Sequence, residues 1–148
     1  MQCSVCNHKD TKVVDSRAAS DGLSIRRRRE CEKCGFRFST IEELELLGLT
    51  VVKRDGSREA YSREKMIRGL EKALEKRSYT DLKFHQLIHK IERDVQKKGR
   101  GQLTSEELGE IVMRHLKRFD KVAYIRFASV YRSFEDVKTF EAELKKLL

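Results

Sequence analysis

Four cysteines form two Cys-x-x-Cys pairs near the start of the chain, Cys3 with Cys6 and Cys31 with Cys34. Two such pairs present four thiolates to one zinc ion in a tetrahedral arrangement. The 24 residues between the pairs slightly exceed the common spacing, and a strand-turn-strand insert accommodates them. The pattern predicts one structural zinc ion. Iron in a similar tetrathiolate site and a dithiol redox pair are the alternatives, and the presence of two pairs disfavours the redox pair.

The histidines are weaker metal candidates. His8 lies beside the first cysteine pair, but with four thiolates available it is predicted to be a surface residue. His85 and His89 are four residues apart on one predicted helix. They lack a third ligand and the glutamate of a zinc-protease motif, so ordinary helical histidines are predicted.

A run of four arginines, Arg26–Arg29, stands just before the second cysteine pair. Side chains alternate along a strand, so Arg26 and Arg28 would face one way and the other two the opposite way. Guanidinium groups on a rigid support suit phosphates and guanine edges, which favours double-stranded DNA as a partner. An ion-paired edge strand is the plainer alternative. The candidate DNA-binding residues are Arg17, Arg26, Arg27, Arg28, Arg29 and Arg37.

A second cluster of charged residues begins at Lys53. Lys53 and Arg54 lie on a predicted hairpin strand and Lys65 on the following helix, where the three cations could converge on a triphosphate. Glu59 would then accept hydrogen bonds from a base or ribose. Spacing alone fits a second interpretation equally well, in which Lys53 and Arg54 merely flank a turn and bind no ligand. The chain has no Walker motif, and Gly99-x-Gly101 is too weak a signal for a phosphate loop.

Short strands are predicted between the cysteine pairs. The runs Lys12–Asp15 and Leu23–Arg29 carry the strand bias, and the turn between them ends at Gly22. A segment this short cannot bury enough apolar surface to fold alone, so the metal is expected to supply its stability.

The next elements are a linking helix and a hairpin. Thr40 with Glu43 matches a capping box and predicts a short helix through Leu47. Two β-biased runs around Asp55-Gly56 predict a β-hairpin.

Apolar residues at helical spacing then predict a bundle of helices, with a capping box at Thr104 and Glu107. The predicted helices contain Met66–Leu74, Phe84–Val95, Leu108–Phe119, Val122–Tyr131 and Val137–Leu147.

The charge distribution supports an anionic partner. The chain of 148 residues has a formal net charge of +9, of which residues 1–48 contribute +1 and residues 49–148 contribute +8. DNA contacts in the first part must therefore come from local clustering. No apolar run approaches membrane-spanning length, so a soluble cytoplasmic protein is expected. The cysteines are committed to metal, and no nucleophile-base pair or Mg²⁺-binding carboxylate motif stands out, so no enzyme activity is expected.

The chain resembles a known family over almost its whole length. Residues Val51–Lys65 resemble the opening of the ATP-cone, the regulatory nucleotide-binding module of ribonucleotide reductases. Together with Asp15-Ser-Arg17, Arg26–Cys34 and Val122–Phe134, they resemble the NrdR family of bacterial ribonucleotide reductase repressors. The resemblance implies an α+β fold. It comprises a zinc-ribbon domain with a linker at 1–48, an ATP-cone (a β-hairpin with a helical bundle) at 49–138, and a helical tail at 139–148.

The same resemblance implies the sites and the partners. It assigns nucleotide contacts to Val51, Lys53, Arg54, Glu59 and Lys65, and it suggests that Tyr124 and Tyr131 close over the nucleotide. The two tyrosines are seven residues apart, and placement in the core is their alternative. ATP and dATP would be the regulatory ligands.

The implied function is a nucleoid-associated, homo-oligomeric repressor in the bacterial cytoplasm, whose assembly decides whether its ribbons engage paired operator boxes at reductase promoters. The rival hypothesis is a detached ATP-cone subunit that acts on a reductase by protein contact. Such a subunit would not need the run Arg26–Arg29.

Overall fold

The computed structural model describes residues 1–19, 22–43, 48–98, 101–134 and 136–147. The chain divides into two compact units, Met1–Glu45 and Leu46–Leu148. Each unit has its own sheet, and the described part of unit 2 also holds five helices. The fold class is therefore α+β, as predicted.

Unit 1 is a three-stranded antiparallel sheet in the order β1 (Thr11–Ala18), β2 (Ser24–Cys31) and β3 (Arg37–Glu43). The central strand β2 carries the arginine run and ends at the second cysteine pair. A register shift between Val13 and Asp15 in β1 is a β-bulge, which increases the local twist of the sheet.

Strand β3 corrects one sequence prediction. The capping-box pattern at Thr40 and Glu43 predicted a helix, but both residues lie in β3, where Thr40 pairs with Arg27. Residues 44–47, the rest of that predicted helix, lie outside the described residues. A local cap signal is weak beside a full ladder of backbone hydrogen bonds to β2, and β-branched Ile41 also fits a pleated strand.

Unit 2 begins with the predicted hairpin, β4 (Thr50–Val52) and β5 (Arg58–Ala60). Its turn contains Gly56 at φ 82°, in the region that favours glycine. A third strand, β6 (Gln102–Thr104), pairs in parallel with β4. Sequence analysis missed β6, because three residues are too few to show a two-residue period.

The helices predicted for the bundle are present among the described residues, and each begins with a side-chain cap. Ser, Thr or Asp accepts a hydrogen bond from a backbone N–H of the first turn at every helix start. The full capping box predicted at Thr104 and Glu107 is formed. The helices are α1 (Arg63–Ala73), α2 (Asp81–Lys97), α3 (Ser105–Phe119), α4 (Lys121–Tyr131) and α5 (Val137–Lys145).

The core of unit 2 lies between the helices and one face of the sheet. Leu70, Ile91 and Leu116 are fully buried on three different helices, and Val51 and Leu103 join them from β4 and β6. Val51 pairs directly with Leu103, so the sheet presents a continuous apolar face to the bundle. Among the described residues no helix combines the length and apolar character needed to cross a membrane.

Helix α5 is attached to the bundle through a buried carboxylate. Glu143 is 2% exposed and accepts a hydrogen bond from Tyr124 Oη, while Arg132 and Lys146 approach its second oxygen at 3.3 and 2.7 Å. Burial opposes ionisation, but Lys146, Tyr124 and Arg132 together lower the pKa of Glu143. A buried charge with this many partners fixes where α5 packs.

Candidate functional site

The four cysteines converge on one point in unit 1. Their sulfur atoms all lie within 4.8 Å of one another, with Cys3 to Cys34 at 3.7 Å and Cys6 to Cys31 at 3.6 Å. In a tetrahedral site with Zn–S bonds of about 2.3 Å, the sulfurs are about 3.8 Å apart. The cluster therefore has the dimensions of a zinc site, as the sequence pattern predicted.

The two cysteine pairs have matching backbone turns. Asn7 and Gly35 both adopt positive φ, at 57° and 69°, and their N–H groups donate to the carbonyls of Cys3 and Cys31. Each turn brings its two thiols to the same side. Gly35 suits this conformation because it has no Cβ, and asparagine tolerates it better than most residues.

Backbone N–H groups favour the thiolate form of Cys3 and Cys31. At Cys34 a backbone hydrogen bond from Phe36 is outweighed by burial and by the other cysteine thiols, which raise its pKa to about 12. The N–H groups of Cys6 and Val5 lower the pKa of the Cys3 thiol to about 7. In the second pair, Cys34 N donates to Cys31 Sγ at 3.5 Å and lowers the pKa of that thiol. A thiolate, not a thiol, is the ligand of zinc, so these turns prepare the site for metal.

The sheet separates the arginine run into two faces. Arg26 and Arg28 are two residues apart on β2, so their side chains share one face of the sheet. Arg17, which lies opposite Arg26, and Ser39, which lies opposite Arg28, are on the same face. A cavity of about 530 Å³ opens on this face, and we call it the arginine groove. It is lined by Asp15, Arg17, Arg26, Arg28, Arg37, Phe38 and Ser39.

Two of the groove's arginines have carboxylate partners. Arg17 pairs with Asp15 at 3.0 Å, and Arg37 pairs with Glu30 at 2.6 Å. Within the described residues, neither Arg26 nor Arg28 has a carboxylate partner, although Arg26 reaches Ser39 Oγ at 3.4 Å. Arg26 and Arg28 therefore bring to the groove two positive charges that no carboxylate of the described residues pairs with.

Arg27 and Arg29 occupy the opposite face of the sheet. Arg27 Nε donates to Glu42 at 2.8 Å, and this bond raises the pKa of the guanidinium. Arg29 donates to Thr40 Oγ1 at 3.4 Å. These contacts join β2 to β3, so this pair of arginines contributes to the sheet itself.

In unit 2, a cavity of about 230 Å³ lies beside the hairpin, and we call it the hairpin cavity. Five of the seven residues predicted to contact nucleotide line it. They are Val51, Lys53, Glu59, Lys65 and Tyr131. Of the three cations predicted to converge, Lys53 and Lys65 line this cavity and Arg54 does not.

The lysines of the cavity meet at a single carboxylate oxygen. Glu59 Oε2 lies 3.0 Å from Lys53 Nζ and 2.8 Å from Lys65 Nζ. Hydrogen bonds from Lys65 and Lys53 lower the pKa of Glu59, so its carboxylate is charged at neutral pH. The two ammonium groups are held side by side, as an anion site requires.

Two helix starts border the same cavity. The capping residue Ser62 and Lys65 come from the start of α1, and Ser105 and Leu108 come from the first turn of α3. The start of a helix carries partial positive charge and unpaired N–H groups, which favour an anion. The two helix starts and the two lysines therefore all favour an anion in the hairpin cavity.

Tyr131 covers one side of the hairpin cavity. Its hydroxyl donates to the carbonyl of Glu106 at 2.7 Å, and its ring lies against Gly109 of α3. Arg54 stands over the ring at 5.8 Å and donates to the Tyr131 carbonyl at 3.0 Å. Arg54 thus lies outside the cavity lining and holds the covering residue.

Tyr124, the other predicted tyrosine, is placed elsewhere. It is 5% exposed in the core, and its hydroxyl donates to Glu143. Placement in the core was the alternative to a nucleotide contact that the seven-residue spacing of the two tyrosines left open.

A larger groove next to the hairpin cavity was missed by sequence analysis. It has a volume of about 620 Å³, lies between α1 and α4, and shares Gly69, Phe127 and Tyr131 with the smaller cavity. Ligand sites usually have about 300–1,000 Å³, so the hairpin cavity alone is small for a nucleotide. A nucleotide would have to move Tyr131 or extend into the neighbouring groove.

Each unit matches a known protein family. Residues 1–42 match the family described as "Transcriptional repressor NrdR-like, N-terminal domain", and residues 49–137 match the family described as "ATP cone domain". Proteins named "Transcriptional repressor NrdR" from Listeria monocytogenes and Listeria welshimeri are each 51% identical over 148 residues, which is the whole of this chain and 96% of theirs. The protein of that name from Lysinibacillus sphaericus is 50% identical over 148 residues and 95% of its length.

Replacing Cys31 with alanine should unfold unit 1 and leave unit 2 folded. Three thiolates hold zinc far less tightly than four, and binding energy on the order of 10 kcal/mol is the folding energy of such a small unit. The amide NMR spectrum of the full chain measures the effect, and chelation of the wild-type protein should reproduce it. Lys33→Ala, an exposed change inside the same cysteine pair, is the control. Retained dispersion of unit 1 amides after Cys31→Ala would contradict the expectation.

Gly109→Ala and Gly69→Ala should have opposite effects on stability. A Cβ at Gly109 would stand 2.0 Å from the Tyr131 ring, whereas a Cβ at Gly69 meets Phe127 at an ordinary 3.7 Å. Alanine normally stabilises a helix by about 0.5–1 kcal/mol over glycine, which is expected at Gly69. At Gly109 the same helix gain is outweighed, because displacing the ring is overpacking that costs about 1–3 kcal/mol and the lost bond to Glu106 costs about 1 kcal/mol more.

Urea unfolding and the NMR signals of the Tyr131 ring measure both substitutions. If Gly109→Ala were as stabilising as Gly69→Ala, with unchanged ring signals, the assigned packing of Tyr131 would be incorrect.

Proposed function

The chain belongs to the NrdR family of transcriptional repressors, and we propose that it senses ATP and dATP and controls ribonucleotide reductase genes. Nucleotide in the hairpin cavity would set how chains assemble, and assembly would set how many ribbons engage paired operator boxes. The protein would act in the bacterial cytoplasm, at the nucleoid. The observation that carries this proposal is the convergence of Lys53 and Lys65 beside the starts of two helices.

One zinc ion per chain is part of the proposal. Four cysteine sulfurs at tetrahedral spacing leave no open ligand position, so the metal would be structural and not catalytic. Its role would be to hold the Cys31 end of β2 and thereby fix the arginine groove.

The cavity supports a polyphosphate ligand in particular. Lys53 and Lys65 would contact phosphate oxygens, and the N–H groups at the two helix starts favour the same charge. Tyr131 would pack on the base or ribose, with Arg54 holding it in place. The apolar side of the cavity, which includes Val51 and Phe127, suits a flat ring better than a further charged group.

Assembly is needed because one ribbon offers few DNA contacts. Useful affinity requires several linked ribbons that act together, since each further contact then forms at high effective concentration. A nucleotide can change assembly only if it binds the assembled and free states with different affinity. ATP and dATP would therefore favour different arrangements of the chains.

The arginine groove is the proposed DNA surface. Arg26 and Arg28 lie at its centre without carboxylate partners among the described residues, whereas Arg27 is committed to Glu42. A detached reductase subunit acting by protein contact, the rival function, has no need of this surface.

Binding of a reductase-promoter duplex should differ between ATP-loaded and dATP-loaded protein at fixed protein and salt concentrations. Fluorescence anisotropy measures it. The double variant Lys53→Ala/Lys65→Ala should lose the difference between the two nucleotides, because both would have lost their phosphate contacts. Lys90→Ala/Lys97→Ala removes equal charge from exposed positions on α2 and should retain it. Identical curves for the two nucleotides with the wild-type protein would eliminate nucleotide-controlled repression.

Arg26→Ala/Arg28→Ala should weaken DNA binding much more than Arg27→Ala/Arg29→Ala, although both remove two charges. If the first pair contacts phosphates, binding should fall tenfold or more, and the slope of log K against log salt should drop by about 2.

Zinc content and the NMR spectrum of unit 1 show whether each arginine variant is folded. Equal losses in two folded variants would contradict the assignment of the DNA surface. Unchanged binding in both would favour the reductase-subunit function.

A further inference from the structure

Glu59 occupies the position in the hairpin cavity where an anionic ligand would be expected. A single oxygen, Oε2, accepts from both Lys53 and Lys65, at 3.0 and 2.8 Å. A phosphate oxygen that used both lysines would have to replace this oxygen as their shared acceptor. The carboxylate and a phosphate group therefore compete for one pair of ammonium groups.

The backbone holds Glu59 in this place. It lies in β5 directly opposite Val51, which is 6% exposed and packed in the core. The lysines are on long side chains that are about half exposed, at 47% for Lys53 and 59% for Lys65. The carboxylate is therefore the fixed partner, and the two cations are the parts that can turn toward a ligand.

These ion pairs are accessible to water. Exposed pairs are weak because water and salt screen them, so an incoming group with more than one negative charge can displace the carboxylate. A group with a single charge gains little by the exchange. The arrangement thus selects for polyphosphates over singly charged anions.

We propose that Glu59 is an internal counter-anion, which the phosphate chain of the bound nucleotide displaces from Lys53 and Lys65. This rests on the proposed nucleotide function of the cavity and deepens it. The role differs from that of a base or ribose acceptor, which was the expectation from sequence. A counter-anion weakens the binding of phosphate, whereas a base or ribose acceptor strengthens the binding of nucleoside.

Calorimetry with inorganic tripolyphosphate and with ATP distinguishes the two roles. The proteins are the full-length wild type, Glu59→Gln, and Glu64→Gln as the matched control. Glu64 is an exposed carboxylate in the first turn of α1 that bonds to Ser62 and does not line the cavity. Both variants remove one negative charge from the same region, so any general electrostatic effect appears in both.

Glu59→Gln should bind tripolyphosphate about fivefold more tightly than wild type, or better, and should bind ATP at least as tightly as wild type. Glu64→Gln should stay within about twofold of wild type. Thermal unfolding of the ligand-free variants checks that each is folded.

Weaker ATP binding by Glu59→Gln with unchanged tripolyphosphate binding would assign Glu59 to the base or ribose and overturn the proposal. Equal tightening in both variants, or tripolyphosphate that binds neither wild type nor Glu59→Gln, would overturn it as well. If instead Glu59→Gln gained tripolyphosphate affinity while no protein bound ATP, the counter-anion would stand and the proposed nucleotide function would fail.

Discussion

Unit 1 depends on the cysteine cluster because the unit has almost no other interior. Within residues 1–19 and 22–43, three residues are buried, and they are Cys3, Ser24 and Cys31. Two of the three belong to the cluster. A sheet with so little buried apolar surface cannot offset the conformational entropy of folding, so bonds to a metal have to supply the difference. The sheet that carries the arginine groove is therefore held by the cysteine cluster at the Cys31 end of β2.

In its described residues, unit 2 is stabilised by an apolar core and not by a metal cluster. Its charged residues in the hairpin cavity can therefore be open to solvent. Its core runs through the helices α1 to α4 and includes the inner face of the sheet. Lys53, Glu59 and Lys65 lie at the edge of that core, on a hairpin and a helix start that the core holds in place. The fold does not need the charged residues for its own stability. A ligand can rearrange them without unfolding the unit.

The sequence predicted best where local signals and tertiary structure agree. The cysteine spacing, the Asp55-Gly56 hairpin and the capping box at Thr104 each determine a short segment through its own chemistry, and all three are present. The prediction was wrong at Thr40, where pairing with β2 overrides a cap signal. The strand β6 is too short to show a pattern in the sequence.

Other features depend on three-dimensional packing and have no local sequence signal. The burial of Tyr124 follows from a carboxylate on α5, nineteen residues further along the chain. The groove between α1 and α4 and the shared position of Glu59 between two lysines come from packing between elements that are distant in sequence. The alternation of the arginines was predictable, but which of them have a carboxylate partner depended on the side chains that the neighbouring strands supply.

Tyr131 connects the hairpin cavity to the rest of unit 2. It covers the hairpin cavity, and the next residue, Arg132, bonds to Glu110 of α3 and to Glu143 of α5. A ligand that displaces the end of α4 must therefore strain or break contacts to two other helices. The free energy for that change has to come from contacts that the ligand makes in one state and not in the other. Because Glu143 is buried, its ion pair resists partial opening, and α5 would either stay docked or move as a whole.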